Sequence, residues 1–125
     1  MNLDINVKKN VEDKLRNYPY YLISVETPGL GQAIRPDKII DKNSNYIDLV
    51  GKQVSDIEYK ENIIKVIEFV YDNLDSITKK IIEYTYYRDD MQVNEIIEKL
   101  NIGKNQYYRL KNRALVKFAC AFGYQ

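Results

Sequence analysis

Seven side chains near the C-terminal end of this sequence carry its densest chemistry: Lys104, Asn105, Gln106, Tyr108, Arg109, Asn112 and Arg113. Arg pairs bidentately with guanine, Asn or Gln pairs with adenine, and Lys and Tyr reach phosphate oxygens. The set is suited to reading a duplex rather than transforming a substrate. It can do so only if the side chains stand on one face of a rigid helix, because the major groove admits a single α-helix whose N-terminal residues meet base edges.

Two helical patterns supply that support. In the first, Val93, Ile96, Ile97 and Leu100 recur at helical spacing while Asn94, Glu95, Glu98 and Lys99 face outward. The helix stops at Asn101-Ile102-Gly103. Asn101 can take the left-handed conformation that ends a helix, Ile102 serves as an apolar plug, and Gly103 gives the chain freedom to swing round. In the second pattern Tyr107, Leu110, Ala114 and Phe118 form one stripe, with Asn105, Tyr108, Arg109 and Asn112 on the opposite face. The spacing predicts a helix-turn-helix whose second helix turns polar, basic chemistry outward. A plain helical hairpin with a basic solvated face would show the same periodicity.

Charge placement favours the nucleic-acid reading over that alternative. Residues 101–125 contain Lys104, Arg109, Lys111, Arg113 and Lys117 and no Asp or Glu, so this segment carries +5 in a chain whose net charge is +1. The remainder is therefore acidic, at −4. Positive charge gathered on one helix is the local footprint of a phosphate binder, whatever the whole-chain balance.

From about Leu74 to Phe118 the sequence resembles the fourth region of bacterial sigma factors, and more closely the small phage and prophage regulators of the ArpU/RinA type. A helix with Ile77, Ile81, Ile82, Tyr84 and Tyr86 at its apolar positions ends in Tyr87-Arg88. The segment VNEIIEKLNIGKNQYYRLKNRALVKF then follows, similar to that family's scanning helix, turn and Arg- or Lys-rich recognition helix ending in an Ala-Leu pair. The resemblance implies control of phage late genes through promoter-region DNA, with RNA polymerase as a further expected partner. Three positions depart from the pattern. Gln92 stands where Ser or Thr usually caps the first helix, Asn101 where the turn Gly is commonest, and Gly103 where Ser or Thr caps the second. Each costs about 1 kcal/mol of capping, which tertiary packing must offset.

The elements before the motif divide the chain into three parts. Residues 1–25 are expected to form an N-terminal helical arm. Over residues 6–17, Val7, Val11 and Leu15 repeat every four residues, and Pro19 is expected to break or restart that helix. The run Tyr20 to Val25 is open to a short strand or another helical turn, and the resemblance tilts it to helix. Residues 26–55, with Pro28, Gly29, Gly31, Pro36 and Gly51, lack a clear period and are expected to be a linker or mobile loop. Gly29-Leu30-Gly31 reads as a turn, since it has no Gly-Lys-Ser/Thr tail to cradle a phosphate.

Residues 56–125 are expected to hold the DNA-binding domain. A helix over 56–74 has Ile57, Ile64, Ile67, Val70, Tyr71 and Leu74 on one side, and Asp75-Ser76 caps the next, whose stripe is Ile77, Ile81 and Tyr84. The expected fold is thus all-α: a C-terminal helical bundle containing a sigma-region-four-like helix-turn-helix, preceded by a helical arm and a long loop. Tyr84, Tyr86 and Tyr107 are expected to be half-buried with their hydroxyls in water, and Tyr108 to face phosphate. Val116, Ala119 and Cys120 follow Asn112 round to an apolar strip opposite the core, to be covered by the N-terminal helix or by a second copy in a homo-oligomer.

Several function classes lose their support. The sequence has no His and a single Cys, Cys120, which excludes a zinc finger, an internal disulfide and histidine-based acid–base catalysis. Asp37, Asp41 and Asp48 are too far apart for a calcium loop, and Asp89-Asp90 reads as the start of a helix rather than a metal site. No cofactor, no metal and no enzymatic activity are expected. Neither a membrane span nor the apolar core of a signal peptide is found, so a cytoplasmic protein is expected. Two alternatives to a promoter regulator stay open: a sigma-like interaction module docking on RNA polymerase, and a phage DNA-packaging protein.

Overall fold

Helix α1 runs from Ile5 to Glu26 in the computed structural model, which describes residues 3–26, 43–88 and 90–124. It is followed by α2 (Asn43–Asp72), α3 (Ser76–Ile82) continuing into a π-helical turn (Glu83–Tyr87), α4 (Val93–Leu100) and α5 (Lys104–Phe122). The fold is all-α. Among the described residues no strand is formed, and the run Tyr20 to Val25 is helical.

Pro19 lies inside α1 and neither breaks nor restarts it. A proline there removes one backbone hydrogen bond and crowds the preceding turn, at a cost of about 3 kcal/mol in a free helix. Contacts on both sides of Pro19 hold the helix together. Val11 and Leu15 are 0% exposed, the Tyr18 hydroxyl donates to Glu68 Oε2 at 2.8 Å, and Lys60 Nζ donates to Ser24 Oγ at 2.9 Å.

Helix α2 starts at Asn43, inside the stretch expected to be a linker, while residues 27–42 lie outside the described residues. Tyr46, Val50, Val54 and Ile57 are spaced by four, four and three, a helical signal that Gly51 and the upstream Pro and Gly cluster obscured. Further along α2, Ile63, Ile64, Ile67 and Val70 are buried, with Leu74 just beyond its end, whereas Ile57 and Tyr71 are half-buried.

The helices bury two clusters. The larger joins Val11 and Leu15 of α1, Ile63, Ile67 and Val70 of α2, Ile82, Tyr86, and Ala114, Leu115, Phe118 and Ala119 of α5. The smaller is built on Ile81, Ile96 and Tyr107, with Val93, Ile97, Leu100, Ile102 and Leu110 packed around them. Ala119 belongs to the main core, at 1% exposure, in one cluster with Val11 and Leu15 of the N-terminal helix, which is one of the two covers expected for the strip; Val116 is half-buried and Cys120 alone of the three is exposed. The reason is that α1 and α2 both pack on α5, so more of its circumference is covered than one stripe predicts.

Asp75 caps α3. Its Oδ2 accepts from the Thr78 N–H at 3.2 Å and its Oδ1 from the Thr78 hydroxyl at 2.6 Å, so Thr78 is buried and satisfied. Thr78 rather than Ile77 faces inward; Ile77 is 39% exposed. The Thr78 hydroxyl bond, more than any other cause, holds the Asp75 carboxyl below its ordinary 3.8. A carboxyl whose folded value is depressed adds stability that is complete above its unfolded value and lost as pH falls through the folded one. Asp75→Ala is therefore expected to cost about 1 kcal/mol near neutral pH in urea denaturation, with the gap to the parent shrinking below about pH 4.

The turn after α3 is widened by one residue, the Arg88 N–H donating to the Glu83 carbonyl at 2.9 Å. This register change sends Tyr86 to the main core and Tyr84 to the smaller one. The Tyr86 hydroxyl is not in water: it donates to Glu12 Oε2 at 2.6 Å, and burial and that bond push its pKa well above the usual phenol value. Tyr87 stacks between Tyr18 and Tyr71, with ring centroids 4.8 and 5.7 Å away. Among the described residues its buried hydroxyl has no hydrogen-bond partner. Because an unpaired buried hydroxyl is unfavourable, Tyr87→Phe is expected to raise stability by about 1 kcal/mol, read as a higher urea midpoint at unchanged m-value.

Candidate nucleic-acid interface

The candidate interface comprises α4, the turn after it and the first half of α5. Helix α4 opens at Gln92, whose N–H donates to Glu95 Oε1 at 3.2 Å, so Glu95 satisfies a donor at the helix start despite the absence of Ser or Thr. Asp90 does not serve as the acid of that first turn. Its carboxylate pairs with Arg88 Nη2 at 3.0 Å, and Asp89 lies outside the described residues.

Helix α4 ends as its sequence predicts. Asn101 is left-handed (φ 56°, ψ 49°), its N–H donates to the Glu98 carbonyl at 3.2 Å and the Ile102 N–H to the Ile97 carbonyl at 3.2 Å. These two bonds with Ile102 packed on the smaller core make a Schellman ending, which fixes the angle at which the chain leaves α4. Gly103 contributes no special freedom. It is extended (φ −78°, ψ 157°), and a Cβ there would meet nothing within 4 Å. The left-handed residue of the turn is Asn101.

Tyr107 anchors α5 beneath the turn. It is 0% exposed, and its hydroxyl shares a 2.9 Å hydrogen bond with Thr85 Oγ1 instead of meeting water. At the far end Gly123 takes a positive φ of 93°, and Tyr124 folds back so that Lys14 Nζ donates to its hydroxyl at 2.9 Å. Helix α5 is thus held at both ends, its first half by the smaller core and its second by the larger.

The expected reading residues fall together on what remains. At 100° per residue, Asn105, Tyr108, Arg109, Asn112 and Arg113 span an arc of about 140°, and all five are exposed. Lys104, also exposed, borders the arc on one side, and half-buried Gln106 on the other. Tyr108 stands edge-on to Tyr107 with ring centroids 5.0 Å apart, which limits its freedom without burying it.

Lys111 belongs to this region as well, although its position on the core-facing side gave no reason to single it out. It is half-buried, with Nζ 5.1 Å from the Tyr108 ring centroid and 5.6 Å from that of Tyr107. Burial, chiefly, holds its pKa below the usual lysine value; Glu12 opposes this, and Lys8 and Arg16 of α1 add to it. Only the packing of α1 brings these groups together, so no local pattern in the sequence announces them.

The fold and this surface define an all-α protein that presents a helix-turn-helix with a polar, basic outer face. The chain belongs to the family described as "Protein of unknown function (DUF1492)", whose model matches residues 36–119. The match takes in α2 to α5 as far as Ala119 and leaves out α1. No curated protein and no solved structure matches the chain. Among the described residues no helix is long and apolar enough to cross a membrane.

Proposed function

We propose that this chain is a sequence-specific, duplex-DNA-binding transcriptional regulator acting in the cytoplasm on phage or prophage genes. The observation that carries the reading is the exposed arc of Asn105, Tyr108, Arg109, Asn112 and Arg113 on a helix fixed at both ends. Side chains that read bases must be held at a defined depth and angle, and a rigid α5 with its polar face outward meets that requirement. Helix α4 and the first half of α5 share the smaller core and are joined by the short Asn101–Gly103 turn, the connection a helix-turn-helix pair uses. Likeness to sigma region four and to ArpU/RinA regulators supports the promoter context, with RNA polymerase as a neighbouring partner.

Binding to labelled duplex DNA at near-physiological salt tests the proposal, because weak phosphate attraction is suppressed there while base contacts persist. The expected result is saturable binding to duplex, with scattering that indicates a small species. Absence of duplex binding would rule the regulator out in favour of a polymerase-docking module, and a ring-sized assembly would favour DNA packaging.

A further inference from the structure

The proposed function places DNA on α5 and leaves α1 as scaffold. The side of α1 nearest the interface does not have the composition of a scaffold. Lys8, Glu12 and Arg16 are spaced by four residues and so form one stripe along the helix. The stripe lies on a helix that packs directly on α5. Glu12 accepts the Tyr86 hydroxyl at 2.6 Å, the Arg16 guanidinium carbon sits 5.4 Å from the Tyr86 ring centroid, and Tyr86 packs in the main core with Ala114, Leu115 and Phe118 of α5. Lys8 and Arg16 are among the charges that bear on Lys111. Lys111 in turn lies over Tyr108, whose ring is part of the exposed arc.

The balance of charge in this group is uneven. Three cations meet two carboxylates: Glu12 is already engaged by a buried phenol, and Asp13 lies 3.8 Å from Arg16 Nη1 in a pair that is more than half exposed and so weak. Neighbouring like charges repel, the more so where one is partly withdrawn from water, and an anion laid across them relieves the repulsion. The anion must be within reach of a surface that continues into the face of α5. A phosphodiester backbone beside an occupied groove has that form, with closely spaced negative charges along its length.

We propose that Lys8, Arg16 and Lys111 form a second phosphate-binding surface, which grips the DNA backbone flanking the groove entered by α5. The assignment rests on the proposed duplex binding. It makes α1, which lies outside the family match, part of the nucleic-acid interface. The contacts are to phosphate, so they strengthen binding to every sequence alike and leave base preference to the arc on α5.

The test is the salt dependence of affinity for a labelled random-sequence duplex, measured by fluorescence anisotropy on the full chain. Each lost phosphate contact lowers the slope of log affinity against log salt by roughly 0.9, so Lys8→Gln/Arg16→Gln is expected to lower it by about 1.8. Lys8→Gln alone, which leaves the Arg16 packing on Tyr86 in place, is expected to lower it by about 0.9, and Arg16→Lys to retain the parent slope. Lys65→Gln/Lys80→Gln, which removes two exposed cations from α2 and α3, is expected to leave the slope unchanged. An unchanged slope in the Lys8 and Arg16 variants would overturn the second surface while leaving duplex binding intact. An equal fall in the Lys65 and Lys80 variant would also overturn it, by reducing the effect to net charge. Failure of the parent chain to bind duplex at any salt would overturn both this surface and the regulator reading.

Discussion

Tyr107→Ala is expected to cost about 3–5 kcal/mol of stability, the range for removing a fully buried ring. Tyr107 is one of the three buried residues on which the smaller core is built, and it joins α3, α4 and α5. Its loss leaves a cavity under the helix-turn-helix and strands the Thr85 hydroxyl that now bonds to it. Tyr107→Phe keeps the ring and loses only that bond, so its expected cost is about 1 kcal/mol. Urea denaturation followed by circular dichroism separates the two variants. An alanine variant within about 1 kcal/mol of the parent would mean that α5 is not fixed through Tyr107, since cavity formation at a closed site costs more than that.

Arg109→Ala is expected to have its largest effect on duplex binding. Arg109 is exposed on the arc, so truncation is expected to change stability by no more than about 0.5 kcal/mol. On the preferred duplex it is expected to cost roughly 1–3 kcal/mol, about five- to 150-fold in affinity, because a bidentate base contact is lost. The loss should be smaller on unrelated duplexes. Substituting Arg113 or Lys117 should instead weaken all sequences by similar factors, as expected of phosphate contacts. Competition titrations with preferred and scrambled duplexes measure both patterns, and an equal effect of Arg109→Ala on the two would remove it from the base-reading role.

Much of this architecture could be read from local pattern. The stripes of α4 and α5 gave their boundaries and their inward residues because a half-buried helix must repeat its apolar positions every three or four residues. Asn101 was legible as a left-handed ending because few residues other than glycine tolerate that conformation at low cost. The exposed arc followed from the same spacing, taken on its opposite side.

What was not legible depends on partners distant in sequence. Glu12 and Tyr86 are 74 positions apart, and nothing near either residue announces that the phenol will be buried against that carboxylate. The spacing of Ala119 marks it as apolar on the side away from the α5 stripe but does not say which cover it receives; α1 and α2 supply that cover from two directions. The continuation of α1 through Pro19 has the same origin, since tertiary contacts offset a local defect that propensity alone would treat as a break. The extra residue in the turn at Glu83–Tyr87 shifts the register of the tyrosines, which a regular period cannot represent. Lys8 and Arg16 are a related case. Their stripe gains meaning only when α1 is laid beside Lys111.

The most direct measurement of the central claim is selection from random duplex DNA at near-physiological salt, carried out in parallel with the parent chain and Arg109→Ala. Enrichment of one motif by the parent, with that motif weakened or degenerate in the variant, is the predicted result. Retention of no preferred sequence by the parent would contradict the account and make the outer face of α5 a surface for docking on protein.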